Sequence, residues 1–179
     1  IIGESLSSEV CSIYLLREGS LELFATRGLK QEAVHVTRLA PGEGLVGMIA
    51  QNVETLNLDE AASHPDFAYK PETGEDLFHS FAGVPIVRRA KSVGVLCVQH
   101  VEPRRYEEVE IEALQTVAMV LSELIANADL VDEGTAGMGE QGQPAGRQPL
   151  HLGFQQGRID GRQIGAVVIA VLGAWPAED

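Results

Sequence analysis

Cysteine is scarce: there are two thiols, Cys11 and Cys97, in 179 residues. Two cysteines cannot build a disulfide framework, which fits a reducing cytoplasm. Positive charge is short as well. Lys and Arg total 13 against 26 Asp and Glu, a net charge of −13 with a pI near 4.7. That field repels phosphate backbones and anionic lipid, which excludes nucleic acid and membrane surfaces as partners. Long apolar runs are missing. The longest, Ile164–Trp175, is about 12 residues, whereas about 20 are needed to span a bilayer. The start lacks the basic region and apolar stretch of a signal peptide. It also lacks Met: the chain opens on Ile1, as expected of a fragment.

Familiar catalytic constellations are absent too. There is no Walker A loop. Gly42-Glu43-Gly44-Leu45-Val46-Gly47 satisfies G-x-G-x-x-G, but no parallel strand feeds it and Glu43 would repel a pyrophosphate. Those glycines are expected to turn the chain into a short helix, with Gly47 permitting close packing. His35, His64, His79, His100 and His151 show neither H-x-x-x-H nor a His–Cys spacing suited to zinc. Neither a metal nor a cofactor is expected. Cys97 lies in an apolar strand, where a small buried hydrophobe is the plain reading. Cys11 approaches it if their strands are neighbours, which leaves a redox pair open as an alternative.

What is present is ordinary globular material, 45% hydrophobic and 22% charged, enough for one or two domains with a real core. Glycine marks a boundary: positions 1–130 hold nine of the 19 and positions 131–179 hold ten. The expected organisation is a compact domain over 1–130, a flexible Gly/Gln/Pro linker over 131–150, and a stub over 151–179.

The compact part reads as mixed α/β, in the α+β sense. Val10–Leu16 and Leu21–Thr26 flank a Gly-containing turn and predict an antiparallel hairpin. In the second run, Leu21, Leu23 and Ala25 alternate with Glu22, Phe24 and Thr26. Val34–Leu39 predicts a third strand and Leu45–Ala50 a short helix closed by Gln51-Asn52. Thr55–Leu58 predicts another strand. Ser80–Val87 and Val93–Val101 predict two strong strands around the turn Arg88–Ser92. Gly94–Val98 is apolar on both faces, as a covered central strand requires. Pro85 cannot donate to a ladder, so it belongs at an edge, end or bulge. From Glu107 to Asp129 the apolar positions recur in steps of three and four and predict a helix of about 34 Å. That length exceeds one sheet and leaves part of the helix for a partner.

Asp59–His79 is a long polar segment of the kind that is functional in compact domains. Asp59, Glu60, His64, Asp66, Tyr69, His79 and Ser80 gather polar groups beside apolar strands. A zwitterionic ligand needs a carboxylate for its ammonium, for which Asp59, Glu60 and Asp66 are candidates. It needs a cation for its own carboxylate, for which Arg27 and His79 are candidates. A merely solvated acidic loop is the alternative.

Taken in order, Cys11-Ser12-Ile13-Tyr14-Leu15, Leu21–Gly28, Pro41–Gly47, Leu56–Ala61, His64-Pro65-Asp66-Phe67, Ser80–Ile86 and Gly94–Gln99 resemble a GAF domain, from about Ser7 to Asp129. The resemblance implies a central antiparallel sheet, terminal helices on one face and a ligand pocket on the other. Ile1–Leu6 would end a truncated first helix. GAF domains bind cyclic nucleotides, tetrapyrroles, amino acids or other small molecules, or simply dimerise; no Cys stands where a tetrapyrrole would attach. Tyr69–Ile86 and the lead-in Arg104-Arg105-Tyr106 are similar to the N-terminal GAF domain of the nitrogen-related phosphoenolpyruvate–protein phosphotransferases. That likeness implies a cytoplasmic sensor of nitrogen status, with glutamine as a type of ligand, controlling autophosphorylation by a downstream catalytic domain. The length and apolar stripe of the Glu107–Asp129 helix point separately to a homodimer through that helix. The phosphohistidine motif of those enzymes is absent, and Gly161–Ala170 resembles the start of their next domain only faintly. A dimerisation module without ligand, and a free-methionine-sulfoxide reductase on the same fold, are the alternative readings.

Overall fold

The computed structural model describes residues 8–74 and 77–136, from residue 127 onward as backbone alone. The expected truncated first helix, residues 137–150 of the expected linker and the 151–179 stub lie outside the described residues.

Six strands form one antiparallel sheet: β1 (Val10–Arg17), β2 (Ser20–Arg27), β3 (Arg38–Leu39), β4 (Leu56–Leu58), β5 (Ser80–Arg88) and β6 (Lys91–His100). Their order across the sheet is β3-β2-β1-β6-β5-β4. Helix α1 (Gly44–Asn52) lies on one face and helix α2 (Glu108–Ala136) on the other. The sheet therefore has a core on each side. Leu114, Val117, Ala118 and Leu121 of α2 pack on Ile13, Phe24, Ala82, Val84, Leu96 and Val98. Leu45, Val46 and Ile49 of α1 pack on Tyr14, Leu23, Phe81, Val95 and Cys97. The central β6 feeds both, as its two-faced apolar sequence predicts.

Several expected details change. Both tight hairpins turn on two residues with left-handed backbone: Glu18 (φ 50°) with Gly19 (φ 79°), and Arg89 (φ 49°) with Ala90 (φ 61°). Such turns match the twist of the strands they join, so the second is shorter than the Arg88–Ser92 loop expected. In β2 the alternation breaks at a bulge. Ile13 pairs with Ala25 but Tyr14 pairs with Leu23, leaving Phe24 as the extra residue. Ala25 therefore moves to the face of Phe24 rather than staying with Leu21 and Leu23. The third strand shrinks to two residues. His35 adopts φ 64°, and its N–H donates to the Leu23 carbonyl, so the Val34–Thr37 run is spent on turns. Helix α1 is closed not by Asn52, its last residue, but by Val53 just beyond it, left-handed at φ 57°, whose N–H donates to the Ile49 carbonyl. Pro85 sits where the β4 ladder has already ended at Gly83, so no neighbouring strand on that side needs its missing N–H.

Helix α2 is longer than expected: 29 residues, about 43 Å at the α-helical rise. It continues past Asp129 to Ala136, into the stretch expected as linker. Its start is fixed by Glu110, which accepts a hydrogen bond from the Glu107 N–H at 2.7 Å and is clamped by Arg104. That arrangement satisfies a backbone donor the helix itself cannot.

The core leaves little slack at the strand crossings. A Cβ at Gly94 would lie 2.3 Å from the Tyr14 carbonyl oxygen. The backbone cannot yield there as a side chain could. Gly94→Ala is expected to lower stability by about 2–4 kcal/mol in urea unfolding. Gly19→Ala, at an open turn position, is expected to cost only about 1–2 kcal/mol.

Candidate functional site

On the α1 face the sheet does not quite close against its cover. A small cavity of about 30 Å³ remains there. Its floor is Tyr14 of β1, Phe81 of β5 and Gln99 of β6. One wall is Leu39 of β3 and the first turn of α1, Gly44 to Val46. The roof is Phe67, Ala68 and Lys70 from the segment between β4 and β5. The volume suits one or two water molecules.

Local sequence explains the shape. Gly44 (φ 67°) lets the roof come close: a Cβ there would stand 3.1 Å from the Ala68 Cβ. A Cβ at Gly47 would strike the Ala40 carbonyl at 2.5 Å. The G-x-G-x-x-G run is thus a tight turn into α1, closed by the Gly42 N–H donating to Gly47 and the Glu43 N–H donating to Ala40. No side chain caps the first turn of α1, and that turn presents its positive dipole end to the cavity.

Two polar residues define the chemistry. Gln99 is 4% exposed, and among the described residues its Oε1 has no hydrogen-bond partner. Leaving a buried acceptor unpaired costs about 1–3 kcal/mol. Lys70 stands at the mouth, its Nζ 2.8 Å from the Glu43 Oε1. The hydrogen bond from Lys70, then that from the Ala40 N–H, hold the Glu43 carboxyl below its ordinary value. A carboxyl lowered in the folded state favours the closed structure above the ordinary carboxylate range. That contribution fades as pH falls through the lowered value.

The residues singled out in the sequence lie elsewhere, and none lines the cavity. Glu60 and His79 are brought together, but with each other: Oε2 and Nδ1 are 2.7 Å apart on the surface. With the Ala61 N–H donating to the His79 carbonyl, they tie the two ends of the segment. Asp66 is exposed, 3.7 Å from His64. Asp59 is exposed. Ser80 is fully buried and donates to the His100 carbonyl. Arg27 pairs across the ladder with Cys11, on the α2 face of the sheet, away from the cavity. The residues that sequence reasoning passed over are Tyr14, Phe67, Lys70, Phe81 and above all Gln99. One signal pointed to Gln99. It continues the inward-facing series Val95, Cys97, Gln99, where an amide has no apolar reason to be.

The cysteines settle into structural roles. β1 and β6 are neighbours, but Ser12, not Cys11, stands opposite Cys97. The pleat sends Cys11 to the α2 core and Cys97 to the α1 core. Desolvation pushes the Cys11 thiol up to about 12, against the opposing charge of Arg27. A redox pair is therefore not formed. Among the described residues, no group of His, Cys, Asp and Glu could hold a metal ion, and no helix is long and apolar enough to cross a membrane.

Replacing the orphaned amide tests the cavity directly. Gln99→Met is expected to raise stability by about 1 kcal/mol in urea unfolding, because an unpaired acceptor leaves the interior. Oxidation of the folded chain is expected to produce no Cys11–Cys97 disulfide, as mass spectrometry of the intact protein would register.

A family model for the GAF domain matches residues 1–125. The phosphoenolpyruvate-dependent phosphotransferase system protein of Escherichia coli (strain K12) is 39% identical over 128 residues, 70% of this chain and 17% of that protein. The Nif-specific regulatory protein of Herbaspirillum seropedicae is 31% identical over 131 residues, 70% of this chain and 24% of that protein. The chain thus spans under a quarter of these relatives. The solved GAF domain of a phosphoenolpyruvate-protein phosphotransferase from Coxiella burnetii superimposes with a TM-score of 0.69 at 34% identity, covering 74% of this chain and 80% of that one. The chain belongs to the GAF-domain family, and within it is similar to the GAF domains of phosphoenolpyruvate–protein phosphotransferases.

Proposed function

We propose that this domain is a regulatory module that senses a small amino-acid-like metabolite, glutamine being the foremost candidate. In this reading it controls autophosphorylation by a catalytic phosphotransferase domain in the same polypeptide, in nitrogen signalling. The observation that carries the reading is Gln99, a buried acceptor left unpaired at the floor of a cavity under a loosely held roof. A buried acceptor beside a cavity is a group that an entering ligand can complete.

The cavity as it stands admits no metabolite, since small-molecule sites run to about 300–1,000 Å³. Binding therefore requires the roof to lift. Residues 61–74 are suited to that. Only Ala61 and Thr73 among them are buried, and segments with few buried contacts open at low free energy. The roof is held by Lys70 on Glu43, by Thr37 donating to Glu72, and by the Lys30 N–H on the Thr73 carbonyl. Apparent affinity is reduced by the fraction of time the roof is closed.

A second reading has its own support. The outer face of α2 exposes Val109, Met119 and Val120, which suits a homodimer whether or not the cavity is ever filled. A monomer by sedimentation at high concentration would remove it. The reductase reading loses its chemistry, because the chain's two thiols point to opposite cores.

Calorimetric titration of this chain with L-glutamine, other amino acids and cyclic nucleotides tests the sensing reading. Heat with glutamine and none with cyclic nucleotides is expected. An absence of heat with every compound would overturn it.

A further inference from the structure

Lys70 is the one charged side chain among the described residues that line the cavity. It is already engaged by a carboxylate, that of Glu43, at 2.8 Å. Glu43 immediately precedes α1 and offers no side-chain cap to its first turn. A ligand carboxylate entering beside Gly44 to Val46 would meet two favourable features, the helix dipole and the Lys70 ammonium. Nζ keeps two further donors, but a second carboxylate on it would lie against that of Glu43, and their mutual repulsion favours displacing Glu43. At the other end, the unpaired Gln99 Oε1 accepts a hydrogen bond and so selects an N–H donor.

We propose that Glu43 is an internal stand-in for the ligand's carboxylate, so that ligand binding is an exchange of one carboxylate for another on Lys70. The inference rests on the sensing reading above and names its recognition chemistry: a carboxylate at the Lys70 end and an N–H at the Gln99 end, as in an amino acid. Three features make the exchange inexpensive. Glu43 is 42% exposed, so once released it is solvated by water. It keeps the Ala40 N–H as a partner through its other oxygen, at 2.9 Å. Lys70, at 25% exposure, trades one charge partner for another without being stranded. The same ion pair fastens the roof to α1, so the group that competes with ligand also holds the cavity shut. Entry of the ligand and release of the roof are then one event.

Glu43→Gln separates these roles, since the amide oxygen can still accept from Ala40 while no longer competing for the ammonium. The experiment is calorimetry on the full 179-residue chain with L-glutamine and with its analogue carrying an amide in place of the α-carboxylate. Amide hydrogen exchange over residues 64–74 accompanies it. Glu43→Gln is expected to tighten glutamine binding about two- to five-fold, the worth of a surface ion pair. It should also quicken exchange in the roof and leave the amide analogue as weak as before. Lys70→Gln is expected to weaken glutamine about ten-fold or more. Unchanged or weaker glutamine binding by Glu43→Gln, or equal binding of the amide analogue by the parent chain, would overturn the exchange and leave sensing intact. If neither the parent chain nor Glu43→Gln binds either compound, the sensing reading falls and the inference falls with it.

Discussion

The pleat of β1 and β6 commits each residue to one of two cores, and the rest of the molecule is arranged around that division. Ile13, Leu96 and Val98 face α2, while Tyr14, Val95 and Cys97 face α1. A slip of one residue between these strands would exchange the two sets wholesale. The bulge at Phe24 shows how strictly the division is kept. An extra residue in β2 is absorbed there so that Ile13 and Tyr14 each keep a partner of the right face. The close crossing at Gly94, where backbone meets backbone, pins the same register.

The two cores are not equivalent. On the α2 side, a continuous helix covers the sheet with a regular apolar stripe. On the α1 side, a nine-residue helix and an irregular segment share the work. A small gap remains on this side, and Gln99 lies at it. Domains of this size are stable by only about 5–15 kcal/mol. Against that margin, a buried amide that no described side chain or backbone group pairs is a notable placement. The polar defect and the packing defect coincide at one place, which is why it is read as a site rather than as two unrelated flaws.

How far the sequence foretold this differs between fold and site. Long or strongly patterned elements were readable: the β1–β2 hairpin, the paired β5 and β6, and the stripe of α2 all follow from periodicity. The G-x-G-x-x-G turn was readable because glycine there has a steric reason. Elements decided by single backbone conformations were not. Nothing in Val34–Thr37 announces that His35 turns left-handed, and β-branched Val53 is an unfavoured choice for a left-handed cap. The candidate residues fall outside the cavity for a related reason. Charge density drew attention to Asp59, Glu60, Asp66 and His79, yet charged side chains in a surface segment find one another first, as Glu60 and His79 do. An unmet need in the interior is a different signal, and that of Gln99 is visible only once the face of β6 is known.

Location then links the site to the rest of the chain. Phe81 and Gln99 line the cavity, and their immediate neighbours Ala82 and Val98 pack beneath α2. Ala82 and Val98 are themselves paired across the β5–β6 ladder. A side chain displaced on one face of a single sheet layer therefore shifts backbone that the opposite core is built on, with no intervening element to absorb it. Close-packed interiors transmit such displacements because they have no free volume in which to lose them. Helix α2 lies on that second core and carries on beyond the sheet to Ala136. Its own start is braced independently: Asn57 holds both backbone groups of Tyr106 at 2.8 and 3.1 Å, and Glu110 holds Glu107. With its first turn fixed and its middle packed on the sheet, the helix is tied to a core that shares its strands with the cavity.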